Sequence, residues 1–165
     1  MTATDMSNYV GAGVILVQMT GGETRFLLLR GTESGVWSFS KGHPEACDRN
    51  SPLRTAVRET QEETGLRCGL DYDIMGDALR FGKRPYWIGV VRDEQAPIRL
   101  TAREHSEYGW FTVPEILALN TNCDVRTWVK KAHGPSKFTH TMGLISSLLS
   151  GMPTKHSTGV ACNGS

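Results

Sequence analysis

At 165 residues, 39% of them hydrophobic and 21% charged, the chain has the size of one domain and can bury a core without a disulfide or structural zinc. Its 18 basic residues nearly balance 17 acidic ones, and a net charge of +1 excludes the broad basic field of a non-specific nucleic-acid binder. Cys47, Cys68, Cys123 and Cys162 form no CxxC pair and have no histidine at zinc-ligand spacing, so they read as reduced thiols. With no signal-type opening and no apolar run of about 18 residues, the sequence reads as a soluble cytoplasmic protein without membrane attachment.

The run VGAGVILVQM, Val10 to Met19, is short, apolar and β-branched, which predicts a buried strand. Thr20, Gly21 and Gly22 predict a turn, and TRFLLLR, Thr24 to Arg30, a second strand closing a hairpin. From Gly31 to Pro44 the chain is rich in Gly, Ser and Thr around Trp37 and Phe39, and predicts a loop with at most one short strand, a site wall. Ser51 followed by Pro52 marks a helix start, and Gly65 a stop, giving a helix over Pro52–Thr64.

Three further strands are expected, over Asp77 to Phe81, Pro85 to Arg92 and Gly109 to Thr112, with helices over Val113 to Leu119 and Asp124 to Ala132. Residues 1–8 read as a flexible N-terminus and 9–133 as one catalytic domain. Residues 134–165 read as an extension, with one apolar stretch, MGLISSLL, and a disordered polar tail.

The chemistry concentrates on the first helix. At 100° per residue, Leu53, Ala56, Val57 and Thr60 share a packing arc, and Glu59, Glu62 and Glu63 share the neighbouring one. Acids at these spacings repel each other by a few tenths of a kcal/mol per pair. A hard divalent cation such as magnesium relieves that repulsion, because it prefers carboxylate oxygens. The alternative is a solvated acidic face paired with Arg54 and Arg58.

RETQEETGL, Arg58 to Leu66, resembles the second half of the Nudix box, G-x5-E-x7-R-E-U-x-E-E-x-G-U with U apolar, except that Thr60 stands at an apolar position. SKGHPE, Ser40 to Glu45, resembles its entry. The interval from Gly42 to Arg58 is two residues longer than the pattern, and Asn50 stands where a glutamate is expected; Glu45 and Asp48 are the candidates to replace it. The resemblance implies a Nudix fold, an α/β/α sandwich with a central mixed β-sheet. It also implies hydrolysis of a phosphoanhydride with Mg2+, for which Mn2+ can substitute.

By that resemblance Gly42, Glu59, Glu62 and Glu63 hold the metal, Glu62, Arg58 and Glu104 are catalytic, and Arg58 orients Glu59. Glu104 is preferred over Glu107 as general base, and His105 is read as an exposed histidine without a role. Lys41, His43 and Arg84 are expected at the phosphates, with Arg80 and Lys83 beside Arg84, and Tyr86 or Tyr108 at a base. Trp87 and Trp110 are expected in the core.

FLLLRGTESGVWSFSKGHPE, RETQEETGL and YWIGVVRDEQAPIRLTAREHSEYGWF together are similar to the asymmetrical diadenosine tetraphosphate hydrolases. This implies a nucleotide or polyphosphate substrate cleaved to ATP and AMP. Nucleotide sugars, diphosphoinositol polyphosphates and capped RNA ends are alternatives, the last being the one nucleic-acid partner considered; a catalytically inactive binding module is another.

Overall fold

The computed structural model describes residues 8–80 and 82–132; the expectations for residues 1–7 and 134–165 lie outside them, as does the end of the strand expected to reach Phe81. Strands β1 (Ala12–Thr20) and β2 (Glu23–Gly31) pair antiparallel from Thr20↔Glu23 to Val17↔Phe26. Gly21 and Gly22 join them with φ of 61° and 80°, the positive values a two-residue hairpin turn needs.

The expected loop from Gly31 to Pro44 contains two short strands, β3 (Trp37–Ser38) on β2 and β4 (Ser40–Gly42) on β1. The reason lies in β1, whose pairing with β2 covers only its second half. Its first half is left to pair Ala12↔Gly42, Gly13↔Lys41 and Val14↔Ser40. This draws the box entry into the sheet.

Helix α1 (Pro52–Thr64) follows, then β5 (Tyr72–Arg80), β6 (Pro85–Val91) and β7 (His105–Phe111), and finally α2 (Val113–Leu117) and α3 (Cys123–Ala132). β5 begins five residues earlier than expected and β7 four. β6 runs parallel to β1, all other strand pairs are antiparallel, and β7 lies on β2, so the sheet is mixed.

Both faces are covered, which is why β1, β2 and β6 read as continuous apolar runs. Ala12, Val14, Leu16, Leu27, Leu29, Trp87 and Val91 pack with Ala56 of α1 on one side. Ile15, Val17, Phe26, Leu28, Ile88 and Val90 pack with Ile116, Val125 and Trp128 of α2 and α3 on the other. Trp128 stands edge-on to Phe26 and Phe39 at centroid distances of 4.8 and 5.3 Å. The result is an α/β/α sandwich, and among the described residues no helix is long and apolar enough to cross a membrane.

Candidate active site

Helix α1 is set at both ends by its own sequence. Ser51 accepts a hydrogen bond from Arg54 N at 3.4 Å, Pro52 takes the first turn, and Gly65 closes the helix at φ 77°. Its buried face keeps Ala56 and Thr60 of the expected arc but is rotated from it: Thr55, Glu63 and Thr64 are also buried, whereas Leu53 is 39% exposed and Val57 half-buried. Threonines fill this face because their hydroxyls are satisfied locally, Thr60 on Ala56 O at 2.8 Å and Thr64 on Thr60 O at 2.6 Å. That rotation carries Glu63 against the sheet.

Arg58 is the hub of the box, and its five N–H groups all find acceptors. Nε and Nη2 donate to the two carboxylate oxygens of Asp48, each at 3.0 Å, and Nη2 also donates to His43 O at 2.8 Å. Nη1 donates to Glu59 at 2.9 Å and to Glu62 at 3.2 Å. Asp48 is 2% exposed and further accepts from Thr55 Oγ1 at 2.7 Å and Glu45 N at 2.8 Å. The Arg58 guanidinium therefore holds the Asp48 carboxyl well below the usual carboxylate range.

Asp48 thus replaces the missing box glutamate, while Glu45 stays largely exposed with 3.7 Å to Arg58. The two surplus residues are absorbed directly after it. Arg49 and Asn50 both adopt left-handed φ, 51° and 57°, and turn the chain outward before Ser51.

The carboxylates fall into two groups. Glu59 and Glu62 gather at Arg58, and burial raises the Glu59 pKa, opposed by the Arg58 hydrogen bond and assisted by the charges of Glu63 and Glu62. Gly42 lies against Glu59 so closely that a Cβ there would stand 1.9–2.2 Å from its carboxyl atoms. The carbonyl oxygen of Gly42 faces Gly11.

Glu63, 4% exposed, accepts from Ser40 Oγ at 2.7 Å and Lys41 N at 3.0 Å on one oxygen, and meets His105 Nε2 at 2.9 Å on the other. Glu104 joins it: ligand atoms of Glu63, Glu104 and His105 lie within 4.8 Å of one another. Thr32 N, donating to Glu104 O at 2.9 Å, fixes the backbone there.

His105 is a correction, because it is buried rather than exposed. The signal that could have found it was the strand start, since β7 begins at His105 rather than Gly109. Glu107 is turned elsewhere, to Arg30 at 2.8 Å. Hard carboxylate oxygens, one pair beside a glycine that leaves them room, are a donor set suited to a divalent cation.

The outer residues sort differently. Tyr86 is fully buried, its hydroxyl donating to Asp124 at 2.6 Å and its ring 5.8 Å from Phe39, so no base can stack on it and that reading is corrected. Tyr108 is 45% exposed on β7. Trp87 is in the core, and Trp110 is half-buried against the same cluster.

His43 is exposed at the rim, its ring 3.0 Å from Val10 O. The Lys41 side chain leaves β4 on the Gly13–Tyr86 side. Arg84 lies beside Gly11, bonded to Asp124 at 3.4 Å. Arg80 accepts Lys131 Nζ on its carbonyl at 3.4 Å.

Comparison with known proteins agrees with this fold. Residues 9–131 match the family model for the NUDIX domain. The chain is 34% identical over 118 residues to a bis(5'-nucleosyl)-tetraphosphatase [asymmetrical] of Sus scrofa, covering 66% of this chain and 78% of that protein. It is 31% identical to the Rattus norvegicus protein of the same name, with the same coverage. Its fold superposes on a C. elegans Ap4A hydrolase in a binary complex with a TM-score of 0.63 and 18% identity, over 88% of this chain and 100% of the other. The box resemblance read from Arg58 to Leu66 therefore extends through the domain, and the chain belongs to the Nudix family as a pyrophosphohydrolase.

Proposed function

We propose that the protein is a Mg2+-dependent hydrolase of dinucleoside polyphosphates, cleaving diadenosine tetraphosphate to ATP and AMP by attack of water on phosphorus. The observation that carries this is the convergence of ligand atoms of Glu63, Glu104 and His105 within 4.8 Å of one another, with Glu59, one helical turn before Glu63, packed against Gly42. The names of the Sus scrofa and Rattus norvegicus relatives support the substrate.

Glu59, Glu62 and Glu63, with the carbonyl of Gly42, would hold magnesium, or manganese in its place. When bound, the metal supplies charge neutralisation on the phosphate chain and lowers the pKa of water. Glu104 takes the proton from the attacking water. Arg58 keeps Glu59 in place, with Asp48 behind it. Arg84, Lys41 and His43 meet phosphate oxygens, and Tyr108, the exposed ring, stacks a base. The free thiols Cys47, Cys68 and Cys123 suit a reducing cytoplasm.

The test is product identification with Mg2+ over diadenosine tetraphosphate, a nucleotide sugar, a diphosphoinositol polyphosphate and a capped RNA, with Glu62→Gln as the control. ATP plus AMP from the first substrate is expected, with the variant strongly impaired. Two ADP, or preference for another substrate, overturns the substrate reading, and equal inactivity of both proteins on all four ends the hydrolase reading.

A further inference from the structure

Asp124 stands in the first turn of α3, remote in sequence from the box and 7% exposed. A carboxylate buried to that degree needs donors. On Oδ2 they are the Tyr86 hydroxyl at 2.6 Å and Arg84 Nη1 at 3.4 Å, and on Oδ1 the Cys123 thiol at 3.7 Å. The tyrosine is an anchored donor. Its ring meets Phe39 edge-on, and Gly13 has no Cβ, which otherwise would sit 2.6 Å from Tyr86 Cε1. Burial and the Asp124 hydrogen bond both raise the Tyr86 pKa, so the hydroxyl remains a donor.

Arg84 is placed at the site by this anchor. Its side chain is 30% exposed, and a Cβ on Gly11 would stand 3.2 Å from Arg84 Nε and 2.6 Å from Gly42 O. One glycine therefore separates the guanidinium from Gly42, whose other side carries Glu59. Asp124 occupies one corner of the guanidinium. A planar fork tethered at one corner has fewer orientations open to it, so less conformational entropy is lost when an anion binds.

We propose that Asp124 is a positioning residue for polyphosphate binding: together with the Tyr86 hydroxyl it holds Arg84 at the rim of the Gly42 site, where the guanidinium meets a phosphate of the chain. This rests on the reading of the protein as a polyphosphate hydrolase. Tyr86, withdrawn as a stacking ring, acts from within the core.

The experiment is calorimetric binding of inorganic tripolyphosphate with Mg2+ to the full chain and to Arg84→Gln, Asp124→Asn, Tyr86→Phe and the Arg84→Gln/Asp124→Asn pair, beside kinetics on diadenosine tetraphosphate. Arg84→Gln is expected to weaken tripolyphosphate about tenfold, and Asp124→Asn and Tyr86→Phe each about threefold, with the effect on diadenosine tetraphosphate in KM rather than kcat. The pair is expected to bind no worse than Arg84→Gln alone, because Asp124 acts through Arg84.

Additive losses in the pair, or unchanged binding in both Asp124→Asn and Tyr86→Phe, overturn the proposal. Should Asp124→Asn fail to fold, Tyr86→Phe and its pair with Arg84→Gln decide it by the same non-additivity. Absence of diadenosine tetraphosphate hydrolysis by the wild type removes the substrate reading alone, since the tripolyphosphate series still decides the role of Asp124.

Discussion

Asp48 and Glu63 are both buried carboxylates of the box, 2% and 4% exposed, and both are hydrogen-bonded on each oxygen, yet their donors differ in kind. Asp48 takes two N–H groups of the Arg58 guanidinium, a permanent cation, so its charge is spent inside the protein. Glu63 takes a serine hydroxyl, a backbone N–H and an imidazole, which fix its oxygens without a permanent opposing charge. Burial with a permanent cation makes a structural strut, and burial among a hydroxyl, a backbone N–H and an imidazole makes an aimed anion. Substitutions at the two positions should therefore fail in opposite ways.

Asp48→Asn carries the largest expected effect, on stability. Removing one partner of a buried ion pair costs about 3–5 kcal/mol. Arg58 keeps Glu59, Glu62 and His43 O, which favours the lower end, a fall in Tm of roughly 6–12 °C for a domain of this size. Hydrolysis per folded molecule should fall by no more than about tenfold, because Glu59 stays bonded to Arg58.

The pH dependence has a definite sign. The folded-state pKa of Asp48 is depressed, so its stabilisation is present above the unfolded value of about 3.9 and is lost as pH falls through the folded value. Denaturant unfolding of wild type and variant should show a constant gap between about pH 5 and 8 that closes below about pH 4. A gap that widens in acid would count against the strut.

Glu63→Gln should invert this pattern. Activity is expected to fall on the order of 10²–10³-fold, the scale of removing one charge-stabilising group from a catalytic site. Stability should move by no more than about 1 kcal/mol, since the amide oxygen still accepts from Ser40 and Lys41 N and repulsion from Glu59 and Glu62 is relieved. Steady-state hydrolysis and thermal melts on the same preparation check both halves. A variant that unfolds while retaining activity per folded molecule would make Glu63 a strut like Asp48.

The contrast between these residues also marks what the sequence could disclose. Helix α1 and the hairpin turn were legible because Ser51, Pro52, Gly65, Gly21 and Gly22 set them by local backbone chemistry. The grouping of Glu59 and Glu62 was legible from their spacing, but the separate burial of Glu63 was not. The buried arc of α1 was not, because hydropathy ranks Leu53 and Val57 above threonines whose hydroxyls close on carbonyls four residues back.

Asp48 had the correct interval from Gly42, but its partnership with Arg58 depended on Arg49 and Asn50 looping out in the left-handed conformation. Tyr86 looked available because the acceptor of its hydroxyl, Asp124, is 38 residues away. His105 was hidden by the irregular register where β7 meets Arg30 and Gly31. In each case the missing information is a tertiary partner.

His105 gives the smallest and sharpest test of an aimed anion. If its imidazole N–H orients Glu63, His105→Leu leaves Oε1 without that donor while Ser40 and Lys41 N still hold Oε2. Loss of such an orienting partner typically costs about 10–100-fold in metal affinity or activity. The deficit should appear as a higher Mn2+ or Mg2+ requirement and shrink at saturating metal. His105→Gln, which restores an N–H of similar reach, should recover most of it. If His105 only fills space beside β2, leucine will be tolerated and glutamine will offer no advantage. If it binds the metal itself, glutamine will be as poor as leucine, and the deficit will be deeper for nitrogen-preferring Co2+ than for Mg2+. Only a metal requirement raised by leucine and restored by glutamine separates an oriented carboxylate from a buried strut.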